Sequence, residues 1–181
     1  MIKSFDGKTP RIAESAYIDE SAYIMGDVEI GENCIVFPGA VLRGDFAGIR
    51  IGHNVWIEDN CAIHCGPRDL IIGNDVTIGH GAVVNCHRLG NNVLVGMSAT
   101  LLHEAEIGND CVIGAATLVG EGVKIPDNSF VVGVPGKIRG NPTEKQLSWI
   151  RRDPEKYPQF VKAYKAGKFQ QFVFPTTRAR E

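Results

Sequence analysis

Five histidines are the side chains best suited to acid, base or metal chemistry near neutral pH, because imidazole titrates there and is a common metal ligand. His64, His80 and His87 fall in one stretch of the chain, together with Asn85. Which of these side chains can share a site depends on the elements that carry them.

Those elements follow from an internal repeat of six residues. A period of six does not match an amphipathic helix, whereas it suits a solenoid in which each hexad forms one short strand and one corner. Gly often follows the repeated aliphatic residue, and the residue four places on is usually small or Val. The aliphatic residues recur with three changes of phase: Ile12, Ile18, Ile24, Ile30, Val36, Leu42, Ile51, Ile57, Ile63, Ile72, Ile78, Val84, Val95, Leu101, Ile107, Ile113, Val119, Ile125 and Val131.

This code resembles the hexapeptide-repeat family, in which three hexads form one triangular coil. The resemblance implies an all-β solenoid, specifically a left-handed parallel β-helix of six to seven coils, which we assign to residues 1–140. Gly and Pro in the segment VVGVPGKIRGNP end the repeat.

A helical tail is predicted over residues 141–181. Thr143 and Gln146 match a capping box, so a helix is expected to start near Thr143, and Asp153-Pro154 interrupts it. A second helix should follow. Aromatic and aliphatic residues predict that the tail packs along the β-helix: Phe160, Val161, Tyr164, Phe169, Phe172 and Phe174.

Composition restricts the class of partner and the compartment. Lys and Arg total 19 against 21 Asp and Glu, and the charges are scattered, so we expect no nucleic-acid surface and instead a small-molecule substrate. The absence of an apolar leader or membrane span predicts a cytoplasmic protein without a membrane partner. Five cysteines without tight pairs argue against a disulfide framework, and three occupy the small position of the repeat as packed core thiols: Cys34, Cys61 and Cys111.

The coil register predicts which candidate residues lie above one another. His64 follows Ile63 and Asn85 follows Val84, three hexads later, so the two side chains should stack on adjacent coils of one face. His80 belongs to the preceding face. A three-fold assembly would bring the His80 face of one subunit to the His64 face of its neighbour, which predicts a homotrimer with a shared site.

With this register, the chain resembles the gamma-class carbonic anhydrases over nearly its whole length. The resemblance rests on RGD at 43–45, WIEDNCAIH at 56–64, VTIGHGAVV at 76–84, GVPGK at 133–137 and the helical tail. It implies that His64 and His80 bind zinc, or iron, and that a metal-bound hydroxide attacks carbon dioxide.

Two positions depart from the family pattern. Asn85 stands where the family has its third histidine ligand, and His87 is a shifted alternative on the same side of a continued strand. Glu58 replaces a glutamine beside the metal, and its carboxylate would act as a base, a ligand or an added negative charge. The remaining polar residues that the resemblance places at the site, as catalytic groups or as an ion pair at the interface, are Asp59, Arg43 and Asp45.

Three hypotheses follow for the function. The first is a carbonic-anhydrase-like enzyme that acts on carbon dioxide and bicarbonate or on a small carbonyl compound, with an activity reduced or lost through Asn85. The second is a CoA-dependent acyltransferase with a histidine as general base, although no long acceptor-binding loop interrupts the hexads. The third is a non-catalytic trimeric scaffold that keeps the fold after losing a ligand.

Overall fold

A computed structural model describes residues 1–148 and 157–168, and these form a left-handed parallel β-helix of about seven coils with a small helical tail. The predicted solenoid is confirmed. Each strand pairs in parallel with the strand one coil away, so that Ile57 pairs with Ile78, and Ile78 with Val95.

Twenty strands and two helices make up the described chain. In order they are β1 (Ile2–Lys3), β2 (Arg11–Ile12), β3 (Tyr17–Ile18), β4 (Tyr23–Ile30), β5 (Ile35–Val36), β6 (Val41–Ile51), β7 (Trp56–Ile57), β8 (Ala62–His64), β9 (Leu70–Ile72), β10 (Thr77–Ile78), β11 (Val83–Val84), β12 (Arg88–Leu89), β13 (Leu94–Val95), β14 (Thr100–Leu101), β15 (Glu106–Ile107), β16 (Val112–Ile113), β17 (Leu118–Val119), β18 (Lys124–Ile125), β19 (Phe130–Val132), β20 (Lys137–Gly140), α1 (Glu144–Leu147) and α2 (Tyr157–Lys165).

The strands line three faces of a triangular prism. The first face contains β1, β8, β11, β14 and β17, and the second contains β2, β9, β12, β15 and β18. Strands β4 and β6 bend round a corner and belong to both of these faces. The third face contains β3, β5, β7, β10, β13, β16 and β19, and antiparallel β20 closes its end.

The interior of the prism is the hydrophobic core. One side chain from nearly every hexad points inward and is buried, which removes a continuous column of apolar surface from water. Three further inward residues lie outside the predicted six-residue series: Ile49, Leu70 and Leu89. The predicted core positions of Cys34, Cys61 and Cys111 are confirmed, and Cys65 and Cys86 are buried with them.

Glycine after the aliphatic residue has a steric cause. A Cβ on Gly73 would lie 2.6 Å from the carbonyl oxygen of Gly90 on the next coil, so any side chain there would push the coils apart. At the same corner, the Asn91 side chain accepts a hydrogen bond from the backbone amide of Asn74 at 2.8 Å. The next coil repeats this bond.

The helical tail lies on the third face. The predicted capping box is present, because Thr143 and Gln146 bond reciprocally at the start of α1. In α2, Phe160 and Tyr164 pack edge-on against Trp56 and Phe37. The aromatic residues predicted at 169, 172 and 174 lie outside the described residues. Neither described helix is long and apolar enough to cross a bilayer.

Candidate metal centre

The coils depart from a uniform length at a single corner, between the first and second faces. The step across this corner is six residues from Ile24 to Ile30 but nine from Leu42 to Ile51, as the strand pairing shows. It is again nine in the His64 coil and only five from Val84 to Leu89. We call this the irregular corner, residues 43–48, 64–69, 85–87 and 102–105. Variation in loop length at one corner of a regular scaffold is typical of a functional site, so we look for the site at this corner.

His64 ends strand β8 at the irregular corner. Its Nε2 lies 2.9 Å from Oδ1 of Asp45, and Arg43, its strand partner on the preceding coil, forms an ion pair with the other carboxylate oxygen. Burial disfavours the charged form of Asp45, but hydrogen bonds from His64 and Arg43 outweigh it and hold the pKa of that carboxyl below its ordinary value. Phe46 packs edge-on against the imidazole, with ring centroids 5.8 Å apart. The imidazole is therefore held in place by charge and by packing.

His80 lies in the turn between β10 and β11, so it is at the edge that the first face shares with the third, opposite His64, and not within the preceding face as the sequence predicted. Its Nδ1 lies 2.7 Å from Oδ2 of Asp59 and 3.8 Å from Oε2 of Glu58. These three residues form the only group of three His, Cys, Asp or Glu ligand atoms within 4.8 Å of one another in the described part of the chain. Because Asp59 engages Nδ1, the Nε2 lone pair of His80 is directed outward, which is how metal-binding histidines are commonly oriented.

Asn85 follows β11 and lies one coil from His64, as the register predicted, because Val84 pairs with Ile63. Its Nδ2 lies 3.1 Å from Nε2 of His103, while its Oδ1 is buried without a hydrogen-bond partner within the described ranges. A buried amide oxygen without a partner costs free energy unless a ligand, a cation or a water satisfies it.

His87, the alternative ligand, points to a different neighbour. Its Nδ1 lies 2.8 Å from the carbonyl oxygen of Asp69, and the Asp69 carboxylate in turn accepts the backbone amide of Gly48 at 2.7 Å. This arrangement fixes the His87 ring at the second-face side of the irregular corner.

The two cysteines near the site face the core. Cys86 lies between Asn85 and His87, but burial raises the pKa of its thiol to about 12. Burial also raises the pKa of Cys65, whose Sγ donates to the carbonyl oxygen of Ala47 at 3.0 Å. Both thiols are neutral near pH 7, whereas a metal requires the thiolate.

Within one chain the predicted site residues form two groups. Arg43, Asp45, His64 and Asn85 lie at the irregular corner, and Glu58, Asp59 and His80 lie across the first face from them. His103 is the residue that the repeat did not reveal as part of the first group. The spacing gave no signal for it, because the coil that starts at Val84 is one residue short and the register places Leu102, not His103, over Asn85.

The donor groups fit a divalent cation. Two imidazoles are each fixed by a carboxylate, and the buried amide oxygen of Asn85, one coil from His64, has no protein partner in the described chain. Imidazole with oxygen ligands suits zinc and ferrous iron.

Comparison with known proteins identifies the family of the chain. A family model described as bacterial transferase hexapeptide (six repeats) matches residues 9–44 and 87–120. A carbonic anhydrase of Geobacillus kaustophilus is 40% identical over 167 residues, covering 92% of each chain. A Methanocaldococcus jannaschii protein assigned as a carbonic anhydrase is 42% identical, over 81% of this chain and 92% of its own.

Among solved structures, a candidate acetyltransferase of Bacillus cereus has a TM-score of 0.85 and 36% identity, covering 91% of this chain and 96% of its own. This chain belongs to the hexapeptide-repeat family of gamma-class carbonic-anhydrase-like proteins.

Proposed function

We propose that this protein catalyses the reversible hydration of carbon dioxide at divalent-metal sites between the subunits of a cytoplasmic homotrimer. Zinc or ferrous iron is the metal, held by His64 of one subunit and His80 of its neighbour. The observation that carries the proposal is that these imidazoles, each fixed by a carboxylate, lie on opposite edges of one face. The relatives named carbonic anhydrase support the choice of reaction.

The first face supports the three-fold arrangement. Val41, Ala62, Val83 and Thr100 follow one another along its outer surface, and Val41 and Val83 are each 40% exposed. An exposed apolar ladder is typical of a surface that is buried in an assembly. If three such faces surround an axis, the His64 edge of one subunit meets the His80 edge of the next.

The chain's own residues orient the donors and handle protons. When bound, a divalent cation lowers the pKa of a coordinated water from about 15.7 to near 7. Asp59 accepts the Nδ1 proton of His80 and leaves its Nε2 lone pair for the cation. Asp45 accepts the Nε2 proton of His64 and leaves Nδ1. Glu58 Oε2, 3.8 Å from the His80 ring, provides a carboxylate that can accept a proton beside this donor.

Metal content and hydration rate test the proposal together. Protein purified without a chelator or histidine tag should carry about one zinc or iron per chain and hydrate carbon dioxide, and His64→Ala or His80→Ala should remove both properties. His53→Ala is a matched control, because His53 lies at another corner and its Nδ1 accepts the amide of Glu32. Metal-free protein with no hydration activity would overturn the proposal and favour the scaffold hypothesis.

The acyltransferase hypothesis has two findings in its favour, the transferase description of the matching family model and the likeness to the Bacillus cereus candidate acetyltransferase. Against it, the longest step across a corner exceeds a normal hexad by only three residues, as between Ile63 and Ile72. Binding of acetyl-CoA measured by calorimetry distinguishes the two functions, and we expect no heat of binding.

A further inference from the structure

His103 and Asn85 form a hydrogen-bonded pair across adjacent coils. The 3.1 Å contact joins Asn85 Nδ2 to His103 Nε2, so the His103 nitrogen presents its lone pair to the Asn85 side chain. The lone pair is therefore directed at the position where the family pattern has an imidazole. His103 lies in a turn and is exposed, and its Nε2 reaches the Asn85 side chain on the preceding coil.

Gly66 shows how far the ring reaches. A Cβ built on Gly66 would lie 3.2 Å from Cδ2 of His103, so the His103 ring lies over the segment that follows His64. His64 and Asn85 occupy adjacent coils, and His103 belongs to the coil after them. One imidazole from the third coil thus spans Asn85 and approaches the His64 coil, and the absence of a side chain at Gly66 provides the space.

The Asn85 amide leaves a polar atom unsatisfied beside this imidazole. Asn85 Oδ1 is buried and has no hydrogen-bond partner in the part of the chain that the structure describes. Rotating the Asn85 amide would pair its oxygen with His103 but leave its NH₂ group without an acceptor, because only one end of the amide meets the imidazole. A cation at this position would be bound by a lone pair of the amide oxygen and, in place of the hydrogen bond from the Asn85 NH₂ group, by the lone pair of the His103 imidazole.

We infer that His103 supplies the third imidazole of the metal site that Asn85 lacks, with Asn85 Oδ1 as an additional oxygen donor. This inference rests on the proposed function, because it assigns the ligands of the same site. One subunit then contributes His64, His103 and Asn85, and its neighbour contributes His80. His87 is the competing candidate, because its Nδ1 bond to the Asp69 carbonyl leaves its Nε2 lone pair free, but no contact joins its ring to Asn85 among the hydrogen bonds of the described chain.

Cobalt(II) binding tests the ligand set without relying on activity. The chain is stripped of metal, titrated with cobalt(II), and followed by visible absorption, whose intensity reports coordination number, and by metal analysis per chain. His103→Ala should weaken cobalt binding by about 100-fold or more and reduce the absorption, since removing a residue that binds the metal directly costs more than the loss of about 10–100-fold typical of a residue that only supports a ligand. His87→Ala is the matched control and should bind cobalt like wild type.

A double variant separates ligation from damage to the fold. Asn85→His in the His103→Ala background should restore cobalt binding, because it returns the imidazole to the position the family uses. If His87→Ala loses cobalt binding while His103→Ala binds cobalt like wild type, the inference is overturned. Unchanged binding in both, with loss in His64→Ala, would overturn the inference but leave the proposed function standing. Cobalt binding that also survives His64→Ala and His80→Ala would overturn both.

Discussion

Asp45 and His64 face each other across adjacent coils, with 2.9 Å between the carboxylate Oδ1 and the imidazole Nε2. The bond depends on the nine-residue step at the irregular corner, which carries Asp45 beyond the end of the first face. Arg43 holds the second oxygen of the same carboxylate. Asp45 therefore fixes both the orientation and the tautomer of His64.

Asp45→Asn should weaken metal binding while the coil remains folded. An amide at this position still fills the space but no longer favours the proton on Nε2, so we expect a 10–100-fold loss of zinc affinity by competition with a chelator. Asp69→Asn is a matched control at the same corner, because His87 contacts the Asp69 backbone carbonyl and not its side chain. Equal affinities for the two variants would contradict this role of Asp45.

The same carboxylate should make stability depend on pH. The folded pKa of Asp45 lies below its ordinary value of 3.8. Its contribution to the free energy of unfolding is therefore complete above pH 3.8 and is lost as the pH falls through the lower folded pKa. The difference in urea midpoint between wild type and Asp45→Asn should therefore be constant around pH 6 and shrink below about pH 3.8. A difference that persists unchanged in stronger acid would show that Asp45 contributes through packing.

Sequence spacing predicted the stacking of His64 and Asn85 because inward and outward positions are fixed once the coil register is known. The register failed to predict Leu89 as a core residue, since the coil there is one residue short and a strict six-residue series skips it. It also missed the contact between His103 and Asn85. That contact depends on the direction of a side chain in a turn and on the space above Gly66, neither of which has a periodic signature.

All five thiols should be unreactive in the folded protein. Burial raises the pKa of Cys34 and Cys86 to about 12 and that of Cys61 to about 11, so the reactive thiolate is scarce as well as inaccessible. A disulfide thiol reagent at about pH 8 should modify none within minutes and all five in guanidinium. Val83→Cys, at an exposed position, provides the positive control in subunits kept dissociated by dilution. Rapid modification of a native thiol would contradict the burial of that thiol in the core.

Gly73→Ala should destabilise the β-helix by about 1–3 kcal/mol, because the added Cβ meets the backbone of the next coil, and hydrogen bonds from Gly73 and Gly90 to the following coils hold this corner in place. Gly120→Ala is the control, since its Cβ would meet only Val123 Cγ2, at 3.6 Å. Urea unfolding at a fixed chain concentration measures both variants. Equal midpoints for the two would show that the spacing of the coils is adjustable.

Val83→Lys should dissociate the proposed trimer and empty the proposed metal site without unfolding the subunit. Val83 points outward from the first face and is 40% exposed in the single chain, so a charge there costs little until a neighbour covers it. Ile71→Lys is the matched control, because Ile71 is 39% exposed on the second face. Sedimentation and metal analysis should show a metal-free monomer for Val83→Lys and a metal-bound trimer for Ile71→Lys. If Ile71→Lys dissociates the assembly instead, the second face is the interface, and His64 and His80 cannot meet across the first.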